Sequence, residues 1–211
     1  MNLSYRLGHI FLGLLYRLLF RYRAHHPERV PATGGVILAA NHVSFLDPPL
    51  IGLPLRRPLS YLARKSLFRN RLIGALLRSW QAVPVDRDGG GAAGLKAILD
   101  RLRRGDAILL FPEGTRSPDG TLQPPRSGIG LAIIKSDCPV VPVRVFGTYE
   151  AWGRHQRWPR PRPIAVAYGE PMDFAELRAE AKTASRERLK AIYQEAAEAI
   201  MAAIARLEPR D

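Results

Sequence analysis

Val36-Ile-Leu-Ala-Ala-Asn-His-Val-Ser-Phe-Leu-Asp-Pro-Pro49 is the stretch from which the fold of this chain is most directly read. Val36 to Ala40 form a short apolar run of strand length, entered from the turn signal Pro31-Ala-Thr-Gly-Gly35. Asn41 and His42 end that run. Asp47 before Pro48-Pro49 then marks a helix start, the carboxylate capping while proline occupies the first helical position.

The same alternation extends in both directions. Leu59 to Ala63, Trp80 to Val85, Ala107 to Phe111, Val140 to Phe146 and Ile164 to Tyr168 read as further short strands. Helical spacing appears over Leu67 to Leu77, at Leu95, Ile98, Leu99 and Leu102 before Arg104-Gly105, and within Phe174 to Leu207. Gly89-Gly-Gly-Ala-Ala-Gly94 reads as a loop and hinge, since it lacks the strand and spacing of a phosphate-cradling glycine loop. Apolar strands alternating with amphipathic helices predict an α/β domain with a mainly parallel central sheet covered by helices. That domain is expected over 30–211, including the C-terminal helix, after an N-terminal helix and basic linker over 1–29.

Ile10 to Phe20 is apolar but short for a membrane span, which takes about 20 residues, and it is interrupted by Arg17. No small-residue cleavage site follows it. At 100° per residue Arg6, Arg17 and Arg21 fall within about 60° of one another, while most of the leucines lie elsewhere. The pattern predicts an amphipathic helix lying in a membrane interface with its arginines toward lipid phosphates. A core helix or an uncleaved anchor is the alternative.

A net charge of +13 and a pI near 10.7 point to an anionic partner, whether lipid surface, phosphorylated metabolite or nucleic acid. Part of the excess is a general preference for arginine along the whole chain. No nucleic-acid motif accompanies it, and the aromatic residues are not interleaved with basic ones, so nucleic acid is not the expected partner. The single cysteine, Cys138, excludes an internal disulfide framework and has no zinc-ligand spacing around it. A reducing, cytoplasm-facing location is the corresponding expectation.

Ligands of open α/β sheets gather beyond the carboxyl ends of the strands. Three polar clusters stand there: Asn41-His42 with Asp47, Asp86-Arg87, and Glu113-Gly114-Thr115-Arg116-Ser117. A histidine can take a proton from an alcohol near neutral pH when a partner fixes its tautomer. On one regular helix His42 and Asp47 would diverge by about 140°, so pairing needs His42 in the loop and Asp47 at the helix start. Taken alone, the pair reads equally as a dyad or as a capped helix beside a polar loop residue. Arg87 and Arg116 can give bidentate hydrogen bonds to phosphate, and Glu113 can orient an arginine or a hydroxyl. Local ion pairing with Asp86 and Asp88 is the other reading of Arg87. A base beside a phosphate clamp suggests transfer to an alcohol.

Taken together, Asn41-His-Val-Ser-Phe-Leu-Asp47, Val83-Pro-Val-Asp-Arg87, Phe111-Pro-Glu-Gly-Thr-Arg-Ser117 and Val140-Val-Pro-Val143 resemble, in order and spacing, the glycerolipid acyltransferase family. Bacterial 1-acylglycerol-3-phosphate acyltransferases, the PlsC-like enzymes, typify it, and the likeness runs from about Val30 to Tyr168. The resemblance implies that His42 is the general base and Asp47 its orienting partner. It further implies an acceptor-phosphate site of Arg87, Glu113, Gly114, Thr115 and Arg116, with Pro142 shaping the acyl-donor side. A thioester of CoA or of acyl carrier protein would be the donor, with no metal or other cofactor and no covalent enzyme intermediate. A lysophospholipid would be the acceptor, most simply 1-acylglycerol-3-phosphate giving phosphatidic acid, at the cytoplasmic face of an anionic membrane. Two positions depart from the family pattern: Gln81 where the second motif often begins with Gly, and Pro125-Arg126-Ser127-Gly128 where Phe-Lys often precedes the Gly. Arg126 then supplies the cation in place of lysine. Ornithine lipids and other lysophospholipids are alternative acceptors, and a hydrolase or thioesterase using the same base on water is the alternative enzyme class.

Overall fold

The computed structural model describes residues 3–85 and 92–209. Seven strands, β1 (Arg23–His25), β2 (Val36–Ala40), β3 (Leu59–Arg64), β4 (Ala82–Val85), β5 (Ala107–Leu110), β6 (Val140–Phe146) and β7 (Ala165–Tyr168), form one sheet ordered β1-β7-β6-β2-β5-β3-β4. β6, β2, β5, β3 and β4 are mutually parallel, whereas β7 runs antiparallel to β6 and β1 parallel to β7. The α/β reading with a mainly parallel sheet holds. Among the described residues eight α-helices accompany the strands: α1 (Leu3–Phe20), α2 (Asp47–Gly52), α3 (Arg71–Ser79), α4 (Ala92–Arg103), α5 (Ser127–Lys135), α6 (Thr148–Trp152), α7 (Ala175–Glu180) and α8 (Arg186–Ala205).

Residues alternate along a strand between the two faces of a sheet, and β2 shows both cores at once. Val36, Leu38 and Ala40 join the apolar cluster under α1 and α2, while Ile37 and Ala39 join the one under α4, α5 and α8. All five residues are fully buried. α5 packs so closely on α8 that a Cβ at Gly130 would lie 1.7 Å from the Tyr193 carbonyl oxygen, so this helix requires glycine there. Local signals set the boundaries. Asn70 Oδ1 accepts from the amides of Leu72 and Ile73 at the start of α3, Ser185 Oγ accepts from Arg188 at the start of α8, and Gly105 closes α4 at φ 87°.

One expectation for the N-terminus is corrected. Arg23–His25, read as linker, pair with β7 as an edge strand, their three residues being too few to show a period. α1 forms over the expected segment and is apolar on two sides, one packed on the core and one exposed. Tyr16 and Phe20 are buried in the core, and the Tyr16 hydroxyl donates to the Leu46 carbonyl at 3.2 Å. Ile10, Phe11, Leu14 and Leu18 are exposed, and Arg21 lies beyond the helix end at φ 45°. Among the described residues no helix is long and apolar enough to cross a membrane. The helices α5 and α6 were not anticipated, α5 because Gly128 and Gly130 weaken its local signal and α6 because it has five residues.

Candidate active site

The loop after β2 and the loop after β5 emerge side by side, because Ala39 and Leu110 are paired in the parallel register. Asn41 fastens the first of them. Its Oδ1 accepts from the Val145 amide at 2.8 Å across to β6. Ser44 Oγ donates to the Trp152 carbonyl at 2.7 Å, tying the same loop to α6.

Within that loop His42 Nδ1 lies 2.9 Å from Asp47 Oδ2, and the same oxygen accepts from the amides of Val43 and Ser44, each at 2.7 Å. Asp47 is the first residue of α2, and its carboxylate turns back onto the loop rather than capping the helix. Capping therefore is not its role here. A short loop closed on one oxygen replaces it, and Pro48 and Pro49, which have no N–H to offer, make no demand on the carboxylate. Asp47 is fully buried, whereas the His42 side chain is 17% exposed. A carboxylate only accepts, so Nδ1 carries the ring hydrogen and Nε2 presents its lone pair outward. The ring is held flat against Phe111, centroids 3.9 Å apart and planes at 14°. That arrangement can accept a proton at Nε2 and stabilise the imidazolium formed.

From the second loop, Glu113 accepts from the His42 amide at 3.4 Å, and the Ser117 amide donates to the His42 carbonyl at 2.7 Å. Burial pushes the Glu113 carboxyl up to about 7, against the amides of His42 and Gln123, which lower it, while the Asp47 charge raises it further. Gly114 turns at φ 71°, and a Cβ there would lie 2.9 Å from Arg126 Cδ, so the Arg126 side chain lies across the glycine. The Arg116 guanidinium stacks 3.5 Å above the Phe45 ring, which also meets Trp152 at 5.3 Å. Thr115 and Arg126 are exposed. His42, Asp47, Glu113, Gly114, Thr115, Arg116 and Arg126 are thus gathered around two adjacent loops. Pro142 is not. It is buried within β6 beside Ala39, and a Cβ at Gly169 would lie 2.6 Å from its ring. Arg87 lies outside the described residues.

Phe45, Phe111 and Ser44 hold the site together and had no individual signal in the sequence. Phe45 and Phe111 are apolar residues inside polar motifs, which is the only hint available. An apolar cavity of about 270 Å³ lies between α1, α2 and the β3–β4 edge, lined in part by Leu12, Pro48, Pro49, Leu53 and Trp80. Pro48 and Pro49, which follow Asp47 in α2, line this cavity. A second cavity, about 360 Å³ and walled by Val30, Pro31, Leu55 and Arg57, lies at the amino ends of β2 and β3, away from His42. Among the described residues no group of His, Cys, Asp and Glu has metal-holding geometry.

The raised Glu113 carboxyl has a consequence for stability. The folded chain keeps a proton that the unfolded chain releases above the ordinary value of 4.5, so its stability falls as pH rises from there through about 7. Glu113→Gln retains an oxygen acceptor and removes the charge. Urea unfolding is expected to show this variant gaining on wild type, by on the order of 1–3 kcal/mol, between about pH 5 and about pH 8. An unchanged difference at the two pH values contradicts it.

A mainly parallel α/β sheet that pairs His42 with the buried Asp47 and carries Arg116 and Arg126 on the adjoining segment presents the groups with which an enzyme can activate a hydroxyl next to an anion. More particularly, the family model described as Acyltransferase matches residues 21–146, and the chain belongs to that family. The 1-acyl-sn-glycerol-3-phosphate acyltransferase of Bacillus subtilis (strain 168) is 28% identical over 176 residues, 82% of either chain. The enzyme of that name from Cocos nucifera is 29% identical over 161 residues, 74% of this chain and 52% of its own length. The crystal structure of the 1-acyl-sn-glycerophosphate acyltransferase PlsC from Thermotoga maritima superposes with a TM-score of 0.73, covering 98% of this chain and 81% of that one at 23% identity. That last likeness establishes the fold.

Proposed function

We propose that this acyltransferase moves a fatty acyl group from a CoA or acyl carrier protein thioester to the free hydroxyl of a lysophospholipid. 1-Acylglycerol-3-phosphate, the acceptor that the relatives' names specify, is the favoured substrate and phosphatidic acid the product. The observation that carries the reading is the pairing of His42, whose Nδ1 is engaged by Asp47 at 2.9 Å so that Nε2 is left to act as the base, in a loop bonded to the segment after β5 that carries Arg116 and Arg126.

In this mechanism the acceptor phosphate rests on Arg116 and Arg126, with Arg87 supplying a further cation. Its hydroxyl gives a proton to His42 Nε2 as the oxygen attacks the thioester carbonyl carbon. The new C–O bond forms, the C–S bond breaks, and the imidazolium returns the proton to the departing thiolate. Asp47 stabilises the imidazolium in between. The raised Glu113 carboxyl puts less negative charge beside the phosphate than an ordinary carboxylate would, while it braces the His42 amide. An acyl chain fits the apolar cavity beside Pro48 and Pro49.

α1 is proposed to lie in the membrane interface through Ile10, Phe11, Leu14 and Leu18, making the protein monotopic or peripheral at the cytoplasmic face. Support for this comes from their exposure of 58–72% on one helix side.

A panel of lysolipid acceptors with acyl-CoA, run on wild type and Arg116→Ala, tests the proposal. The phosphate monoester acceptor is expected to be preferred, and Arg116→Ala to raise its KM about tenfold or more, the value of a charge-assisted hydrogen bond pair. Equal use of acceptors lacking a phosphate, or an unchanged KM, overturns the phosphate assignment. Release of free fatty acid regardless of acceptor would make the enzyme a hydrolase.

A further inference from the structure

Between α6 and β7 runs Arg154-His-Gln-Arg-Trp-Pro-Arg-Pro-Arg-Pro163, which holds four arginines, three prolines and no acidic residue. Every residue of it is exposed except Gln156, and Trp158 is 72% exposed. No hydrogen bond or ion pair joins any of the four guanidinium groups to another described residue. Such a segment gains little from the fold. An indole left in water forgoes a large burial free energy, four like charges repel one another, and alternating prolines hold the backbone extended.

Its two ends are nevertheless fixed. Gly153 pairs with Ser44 in an isolated bridge, and the Gln156 amide donates to the Tyr149 carbonyl at 3.2 Å. At the far end the Ile164 amide donates to the Phe20 carbonyl at 3.0 Å, and the Arg23 amide to the Ile164 carbonyl at 3.1 Å. The basic strap therefore spans from the loop that carries His42 to the last residue of α1. On α1 the exposed residues Ile10, Phe11, Leu14 and Leu18 fall within about 100° of one another.

We infer that Arg154–Pro163 is a second membrane contact, selective for anionic lipid headgroups, which sets the rotation of the domain about α1 and keeps the His42 loop turned toward the leaflet. This deepens, and rests on, the reading of α1 as an interfacial helix. A single helix lying in an interface leaves the attached domain free to roll about its axis. A contact displaced toward the catalytic loop removes that freedom. Guanidinium groups pair with lipid phosphates, and tryptophan belongs at headgroup depth, where its ring is half wet and half apolar. An acidic protein would also attract the arginines, but an exposed indole in a strap whose next residue, Ile164, is bonded to the end of an apolar helix fits a lipid surface better.

The test uses the whole protein with vesicles of phosphatidylcholine alone and of phosphatidylcholine mixed with phosphatidylglycerol. Each arginine near an anionic surface contributes roughly fivefold in partitioning. The combined Arg154→Gln, Arg157→Gln, Arg160→Gln and Arg162→Gln variant is therefore expected to lose about a hundredfold or more of the preference for mixed vesicles. Its transfer to a short-chain, water-soluble lysolipid without vesicles should match wild type. Brominated phosphatidylglycerol should quench part of the wild-type tryptophan emission, and Trp158→Phe should abolish that part. An undiminished preference for mixed vesicles in the fourfold variant overturns the proposal. So does a variant that loses affinity for acyl carrier protein alone, which would place an acidic protein on the strap. A Phe11→Ser, Leu14→Ser, Leu18→Ser variant separates the two claims. If it binds both vesicle types as wild type does while the fourfold variant fails on mixed ones, the α1 reading falls, and with it the control of rotation about α1, and the strap stands only as a contact with anionic lipid. If wild type binds neither vesicle, both fall.

Discussion

His42→Ala lowers turnover by a hundredfold or more at saturating donor and acceptor, with the protein still folded. The size follows from removing a positioned general base, which contributes 10²–10⁴-fold in rate. Apart from His42, Asp47 Oδ2 is held by the backbone amides of Val43 and Ser44, which cannot take the proton. Folding tolerates the change because the lost contacts are one face of Phe111 and one of three hydrogen bonds to Asp47 Oδ2. Steady-state transfer assays with circular dichroism on the same samples decide it. Transfer within tenfold of wild type removes His42 from the mechanism.

Asp47 is expected to show two separable effects. Asp47→Asn keeps the shape, and its amide oxygen can still accept from Nδ1 and from the amides of Val43 and Ser44, but it carries no negative charge to stabilise the imidazolium formed during transfer. A buried carboxylate partner of this kind supports about 10³–10⁴-fold in turnover in enzymes built on the same logic. Asp47→Ala also strips the acceptor from the amides of Val43 and Ser44 and from His42. Each unsatisfied buried donor costs about 1–3 kcal/mol, so a loss on the order of 3 kcal/mol or more is expected, a large part of a typical 5–15 kcal/mol stability. Single-turnover rates read the first effect and urea unfolding the second. A carboxylate that merely finished a helix would cost about 1 kcal/mol and leave the asparagine variant active.

These two variants bear on how much of the site was legible in the chain. The strand Val36–Ala40, the polar break and the Pro48-Pro49 helix start were readable because apolar runs and prolines act locally. They placed His42 in a loop and Asp47 at a helix start, as observed. The direction of the Asp47 carboxylate was not readable, because capping a helix and closing the loop before it use the same residue at the same position. Arg116 was visible as a cation within a motif, but its stacking on Phe45 joins loops 71 residues apart. β1 escaped notice because an edge strand of three residues is defined by its partner, β7, and not by its own pattern.

The N-terminus divides in the same way. Composition identified a short, apolar, arginine-interrupted helix in Ile10 to Phe20, and its length argued against a span. Which apolar residues are buried and which are exposed depends on what lies beneath the helix, so Tyr16 and Phe20 could be told from Leu14 and Leu18 only after docking.

By itself, the sequence determined the α/β class, the family resemblance and the residue types of a base and an anion site, since periodicity, proline and charge act over a few residues. The tertiary structure alone decided that one carboxylate oxygen holds His42 and two amides, that burial raises Glu113, and that Arg154–Pro163 runs from the His42 loop to the end of α1. Each of these depends on which groups the sheet brings together and from which it excludes water, and parallel strands joined by long crossovers bring together residues far apart in the chain.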